Sequence, residues 1–269
     1  MIRKFIALNR RVSRWERSML ARVVPGCSAD GPTSFRERVL PGLLRPGLRV
    51  LDVGGGKRPA ISPERKHELG LYVVGLDVSD TELEQAPARA YDATIVGDIA
   101  AATISGQYDL VFSRAVLEHV ENPAAAIVNM ARILAPGGLM AHVMPCRNAP
   151  FALINRGLGN RAARRLLFTI FPEKQENSGF LAYYHHCTPS QLSRICRDAG
   201  LEVVNLTPYY NSGYTSFFAP LYTIEMLRQA LMCSLQLHDF AEGFSIVARK
   251  PERGPAASAT PVSAPTLAQ

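Results

Sequence analysis

Along residues 49–249 short apolar runs recur, each closed by a glycine, a proline or an acidic residue. The runs Arg49–Val53, Tyr72–Asp77, Ala93–Val96, Tyr108–Phe112, Leu139–Met144, Glu202–Leu206 and Phe244–Arg249 predict strands. Between them the apolar spacing lengthens to helical periods. Helices are predicted over about Asn122–Leu134, bounded by Pro136-Gly137-Gly138, and over Pro189–Ala199. The second opens on Thr188-Pro189-Ser190-Gln191, a capping box with proline at the first helical position, and closes on Gly200. Strand–helix alternation of this kind predicts an α/β fold with a parallel, doubly wound sheet.

The two ends follow different patterns. Near the start, Ile2, Phe5, Leu8, Val12, Trp15, Met19 and Val23 recur at spacings of three or four. That spacing predicts an amphipathic helix with a basic face. It lacks the continuous apolar core of a signal peptide. An Arg-rich, acid-poor start also fits a mitochondrial presequence, but the segment reads better as part of the fold or as a surface anchor. After Arg253 the chain is almost all Pro, Ala, Ser and Thr, a composition that predicts disorder. The expected organisation is a basic helix in residues 1–30, one α/β domain in 31–250, and a tail in 251–269. Insertions into the domain are expected at about 147–180 and 209–238.

Composition narrows the classes. A chain of 269 residues with 47% hydrophobic content can bury one good core. No stretch reaches the roughly 18 apolar residues of a membrane-spanning helix. Cys27, Cys146, Cys187, Cys196 and Cys233 show no C-x-x-C spacing, so single buried thiols in a reduced cytoplasmic compartment are expected. The net charge of +7 is concentrated in residues 1–24 and 147–165, and the rest of the chain is mildly acidic. Such local fields suit phosphates or an anionic membrane surface.

The candidate chemistry begins at RVLDVGGGKRPA, residues 49–60. The first strand ends near Asp52, and Gly54, Gly55 and Gly56 let backbone approach a ligand closely. The carboxyl end of a central strand is where an open α/β sheet binds its nucleotide. The second strand ends in Asp77, whose carboxylate can accept both hydroxyls of a ribose. The third leads to Asp98, where a carboxylate can accept from an adenine amino group. A dinucleotide fingerprint would place a third glycine where Arg58-Pro59 stand. The expected ligand is therefore a nucleoside without a pyrophosphate.

At these residues the sequence resembles the class I S-adenosylmethionine-dependent methyltransferases, of the type 11-like, Rossmann-like kind. The matching stretches are VLDVGGG (50–56), GLDVS (75–79), GD (97–98), YDLVFSRAVLEHVENPAAAIVNMARILAPGG (108–138) and HHCTPSQLSRICRDAGLEVV (185–204). The resemblance implies a seven-stranded sheet of order 3-2-1-4-5-7-6 with its last strand antiparallel. It also implies S-adenosyl-L-methionine as cofactor. Implied contacts are Asp52 and the Gly54–Gly56 loop, Asp77 with Val78 at the ribose, Asp98 with Ile99 near the adenine, and Ser113 near the methionine part. Arg58 departs from the commonest form of the loop, which bears on the path of the loop.

Methyl transfer from a sulfonium is an in-line displacement in which the protein mainly aligns the partners. A base is needed when the acceptor is a hydroxyl, and His185 and His186 are the candidates, with bracing of the following helix as their other reading. His119 reads as structural, and no Cys/His/Asp cluster has metal spacing. Asn148-Ala149-Pro150-Phe151 echoes an amino-methyltransferase signature but follows the wrong strand. Residues 209–238 are either a cap over the acceptor pocket or a contact with a bilayer. The favoured function is O-methylation of a glycan, lipid-linked or other amphiphilic small acceptor. A soluble metabolite, RNA, or a non-catalytic cofactor-binding scaffold are the alternatives, although no RNA-binding module is present and nucleic acid is not the expected partner. The expected location is cytoplasmic, peripheral at the inner membrane face if the basic helix is an anchor.

Overall fold

The fold is known from a computed structural model that describes residues 2–24, 27, 29–159, 165, 168 and 181–252. The chain opens with α1 (Ile2–Val23). A second helical stretch follows as α2 (Gly31–Ser34), a π-helical turn (Phe35–Val39) and α3 (Leu40–Leu43). Then come β1 (Arg49–Val53), α4 (Pro63–Glu68), β2 (Tyr72–Asp77), α5 (Asp80–Glu84), β3 (Ala93–Val96) and β4 (Tyr108–Arg114). The second half adds α6 (Pro123–Ile133), β5 (Leu134–Pro145), α7 (Pro150–Leu158), α8 (Pro189–Asp198), β6 (Glu202–Tyr209), α9 (Ala219–Ser234) and β7 (Gly243–Arg249).

The seven strands form one sheet of order β3-β2-β1-β4-β5-β7-β6, as expected. β1 to β5 are parallel, and β7 is antiparallel to both β5 and β6. Both faces of the sheet are covered, so consecutive apolar residues of a strand go to opposite sides. Val50, Val73, Leu110 and Phe112 pack with Phe35, Leu40 and Leu44 of the segment before β1. Leu51, Val74, Leu76 and Val111 pack with Ile127 and Met130 of α6 and Leu192 of α8. Several helices share one start signal, a capping side chain followed by proline. Ser62, Asn122 and Thr188 each accept from the amide three residues on, at 3.2, 3.1 and 3.3 Å, ahead of Pro63, Pro123 and Pro189.

β4 and β6 run two and three residues past their expected ends, to Arg114 and Tyr209, and the start of β5 differs most. The stretch LAPGG, read as a helix stop, is already strand, because β5 pairs with β4 from Leu134. Gly138 is required there: a Cβ would lie 2.8 Å from the Ala135 carbonyl. The insertions were expected as additions to the minimal sheet. They supply α7 and α9, while most of 160–180, and residues 253–269 of the expected tail, lie outside the described residues.

The cysteine expectation fails. Cys27 and Cys233 are joined in a disulfide across 206 residues, while Cys146, Cys187 and Cys196 are free and buried. Only the docking of α1 beside α9 brings the pair together, and sequence spacing carries no trace of it. The cysteines thus give no argument for a reducing compartment. A link closing so long a loop constrains the unfolded chain, and ~2–4 kcal/mol is a typical contribution. Thermal unfolding should move to lower temperature in reductant, and Cys233→Ser should unfold at that lower temperature whether reductant is present or not. Identical unfolding of the wild type with and without reductant would remove the link from the fold's stability.

Candidate active site

Strand alternation assembles the site. Asp52, Gly75, Asp77 and Arg114 all occupy strand positions on the side that carries Val50, Val73 and Leu110. Asp52 is buried, and its carboxylate accepts from the Ala60 amide at 3.2 Å. Burial pushes it up to about 6, against the opposing influence of Arg114, the Ala60 amide and the Tyr91 hydroxyl; the nearby Asp77 charge adds to the rise. Tyr91 lies under the glycine loop. A Cβ at residue 75 would come within 2.8 Å of its ring, so Gly75 makes room for it. Its hydroxyl donates to the Gly56 carbonyl at 3.2 Å.

Above this layer the loop is fully committed. Gly54 and Gly56 have φ of +69° and +45°, where a side chain is strained. A Cβ on Gly54 would strike Val116, and one on Gly55 would strike Tyr91 and Asp52. Gly56 faces Asp77, whose Oδ2 a Cβ would approach to 3.0 Å. The other oxygen of Asp77, Oδ1, accepts from the Ser79 amide at 3.1 Å. Burial raises the Asp77 pKa, and Glu82 adds to the rise. A nearly buried carboxylate set against bare loop backbone suits a neutral diol with a close-fitting ring.

Of the two basic residues after the glycines, Lys57 has its side chain in an ion pair and Arg58 has its backbone carbonyl engaged. Lys57 pairs with Glu82 at 2.9 Å, and the Arg58 carbonyl accepts from Arg114.

The remaining expected residues are placed unevenly. Val78 is exposed beside Asp77, and Asp98 is exposed at the same edge, its Oδ1 accepting from the Ala100 amide at 2.9 Å. Ile99 turns its side chain into the core, which leaves only its backbone for a ligand. Ser113 is buried and bonds to His142 Nδ1 at 2.7 Å, because alternation in β4 turns it toward α6. Burial pushes His142 down to about 3, so it stays neutral. His185 and His186 are both exposed, and His185 Nδ1 bonds to the Glu121 carbonyl at 2.8 Å. His119 Nδ1 likewise bonds to the Leu181 carbonyl at 2.8 Å. These contacts tie the segment before α8 to the turn after β4. Among the described residues no group of three or more His, Cys, Asp or Glu side chains could hold a metal ion.

Comparison with known proteins agrees with this geometry. The profile of a methyltransferase-domain family matches residues 29–206. The chain belongs to that family. The methyltransferase is 30% identical over 184 residues to a ubiquinone biosynthesis O-methyltransferase from Azoarcus sp., covering 64% of this chain and 72% of the relative. A protein of the same name from Thiobacillus denitrificans is 30% identical over 168 residues, covering 60% and 67%. The fold is similar to an S-adenosylmethionine-dependent methyltransferase from Mesorhizobium loti, with TM-score 0.52, 20% identity and coverage of 81% and 100%. It is also similar to phosphoethanolamine N-methyltransferase 2 of Haemonchus contortus in complex with S-adenosyl-L-methionine, with TM-score 0.54, 16% identity and coverage of 81% and 52%. The protein is an S-adenosylmethionine-dependent methyltransferase, and the Gly54–Gly56 loop and Asp77 fit the nucleoside end of that cofactor.

Several features of the site escaped the sequence reading. Tyr91 and Arg114 come from outside the glycine motif, and a glycine inside β2 is the one local sign that a ring must fit there. Lys57–Glu82 is visible only once α5 folds back over the loop. Glu118 was hidden within LEHV, yet it is buried and pushed up to about 8 by that burial.

Two outcomes follow. Asp77→Ala should weaken S-adenosylhomocysteine binding by roughly 1.5–3 kcal/mol in calorimetry, the range for a hydrogen bond to a charged group. Unchanged affinity in a folded variant would take Asp77 out of the site. Glu118, raised in the folded state, binds its proton more tightly there than in the unfolded chain. Stability should therefore fall as pH rises from about 4.5 to about 8. Glu118→Gln should flatten part of that slope in urea titrations at several pH values, Glu242 keeping its own share because burial also raises it to about 8. An unaltered slope would contradict the burial of the carboxyl.

Proposed function

We propose that this methyltransferase O-methylates a small amphiphilic acceptor of lipid-linked or glycan type, and that Glu118 takes the proton of the acceptor hydroxyl. The reading rests on one observation. Glu118 is 3% exposed, and its Oε2 has no hydrogen-bond partner among the described residues. A buried carboxyl with an idle oxygen costs stability and is characteristic of functional sites. It stands on the turn after β4 (Leu117–His119), and its charge adds to the rise that burial first gives the pKa values of Tyr184, Cys187 and Tyr214. Tyr214 in turn is raised mainly by burial, to about 12. Phe151 of α7 stacks on Tyr214 at 4.3 Å and meets Tyr184 edge-on at 6.3 Å. Aromatic rings around one carboxyl suit a hydroxyl borne on an apolar body.

Support for the amphiphilic character comes from an open cavity of about 520 Å³ beyond the end of β5. Leu153, Met232, Leu237 and Phe240 line it, with Arg228 and Asn148 as its polar members. An oxygen acceptor agrees with the names of the O-methyltransferase relatives.

S-adenosylmethionine supplies an electrophilic methyl on sulfur. Asp77 and the glycine loop would hold its nucleoside and align the methyl for transfer. The bound cofactor would give up its methyl to the acceptor oxygen and leave as S-adenosylhomocysteine when its S–C bond breaks, and Glu118 Oε2 would take the proton that the oxygen sheds. Turnover then requires the ionised carboxylate and rises with pH toward about 8.

A panel of phenolic and lipid-linked acceptors, assayed by intact mass of the product, provides the substrate for the test. Glu118→Gln should lower turnover by about 10²–10⁴-fold while S-adenosylhomocysteine binds as before. The rise toward pH 8 should vanish from its residual activity. His185→Ala and His186→Ala should keep their turnover per folded molecule and lose thermal stability instead. Full activity in folded Glu118→Gln would defeat the assignment, and a 100-fold loss in either histidine variant would move the base there.

A further inference from the structure

The packing of α1 on α9 is inverted. Apart from Phe5, which stacks with Phe218 at 6.5 Å, α1 meets its neighbour through polar side chains: Asn9 Oδ1 accepts from the Ala219 amide at 2.8 Å, and Ser13 donates to the Ser216 carbonyl at 3.3 Å. Thr223 donates to Glu16 at 2.7 Å, and Arg17 donates to the Tyr222 hydroxyl at 2.9 Å. Among the described side chains of α1, Asn9 and Ser13 are the buried ones. The apolar stripe lies outside, with Leu8 63% and Trp15 61% exposed and Val12 and Met19 beside them. α9 repeats the pattern. Its buried members are Tyr222 and Gln229, while Ile224 is 66% and Leu227 62% exposed, in line with Leu221, Leu231 and Leu235.

The two stripes share a side. The helices run broadly parallel, since residue 9 meets 219, residues 16 and 17 meet 223 and 222, and Cys27 meets Cys233. At about 100° per residue, the stripe of α1 lies roughly a quarter-turn one way from the line of contact. That of α9 lies about a third of a turn the other way, so in a parallel pair both emerge together. The hydrogen bonds and the disulfide hold them so.

We infer that this face docks on an anionic lipid bilayer, with the two helices lying in the interface. The charge around the stripe selects that occupant. Arg11, Arg14 and Arg22 of α1 are exposed, and the first 24 residues carry seven basic side chains against Glu16. A two-fold pairing with a second copy would set these arginines against each other, whereas anionic headgroups neutralise them. Leucines and a tryptophan above a basic rim are the composition of helices that lie in the headgroup layer. No helix of the described residues is long and apolar enough to cross a membrane.

Trp15, the chain's single tryptophan, is the probe. The full-length protein is mixed with phosphatidylcholine vesicles containing phosphatidylglycerol, and with phosphatidylcholine vesicles alone. Anionic vesicles should shift its emission to shorter wavelength and carry the protein down on sedimentation, both reversed by salt; lipids brominated near the headgroup should quench it. Leu8→Glu with Trp15 kept, and separately Leu227→Glu, should each reduce vesicle partitioning at least tenfold while S-adenosylhomocysteine binding and the melting temperature stay unchanged. No shift and no sedimentation with anionic vesicles at low salt overturns the inference. So does a shift that develops with protein concentration alone, accompanied by dimer in ultracentrifugation, because the occupant would then be a second copy. The readouts use no acceptor, so they stand or fall apart from the reading of Glu118.

Discussion

The buried carboxylate of Asp52 has to be satisfied, and much of the cofactor end of the molecule is arranged around that need. The Ala60 amide bonds to it, and the Arg114 charge and the Tyr91 hydroxyl ease its ionisation. Each of these partners fixes something else. Ala60 draws the end of the glycine loop back over β1, and Tyr91 supports Gly56 from below. Arg114 ties the end of β4 to the Arg58 carbonyl. A loop held at so many points is preorganised before any ligand arrives, which spares binding the cost of ordering it.

The two halves of the site obey opposite rules. At the nucleoside end each carboxylate has a backbone amide: Ala60 for Asp52, Ser79 for Asp77 and Ala100 for Asp98. At the acceptor end Glu118 keeps an oxygen without a partner, and aromatic rings and a thiol surround it. The first arrangement favours rigid recognition of a constant ligand. The second leaves a buried carboxyl oxygen unbonded, the feature on which the proposed proton acceptor rests. The two inserted helices, α7 and α9, carry apolar side chains on their exposed faces, Leu153 and Leu158 on one and Ile224, Leu227 and Leu231 on the other. A helix pair that packs through serine, asparagine and tyrosine forgoes the burial that normally holds helices together. Hydrogen bonds and the Cys27–Cys233 link take over that role.

The periodicity of the chain determined the strands, their alternation with helices and the position of the glycine loop, because those depend on local burial and local caps. β1, β2 and β3 begin and end where their apolar runs do, and the acids at or just beyond their carboxyl ends were visible for the same reason. The order of the strands came from resemblance, and the pairing bears it out. Tertiary structure alone decided the rest. Ser113 and Ile99 sit in the matching motif, yet pleat and packing turn their side chains into the interior. His185 stood out as a candidate base in sequence, and only the fold shows its Nδ1 bonded to the Glu121 carbonyl, 64 residues away. The stripe of α1 announced an amphipathic helix and could not say which face would be covered. Hydrophobic spacing reports that a face is apolar; whether it meets a core, a partner or a lipid layer is fixed only when distant segments meet.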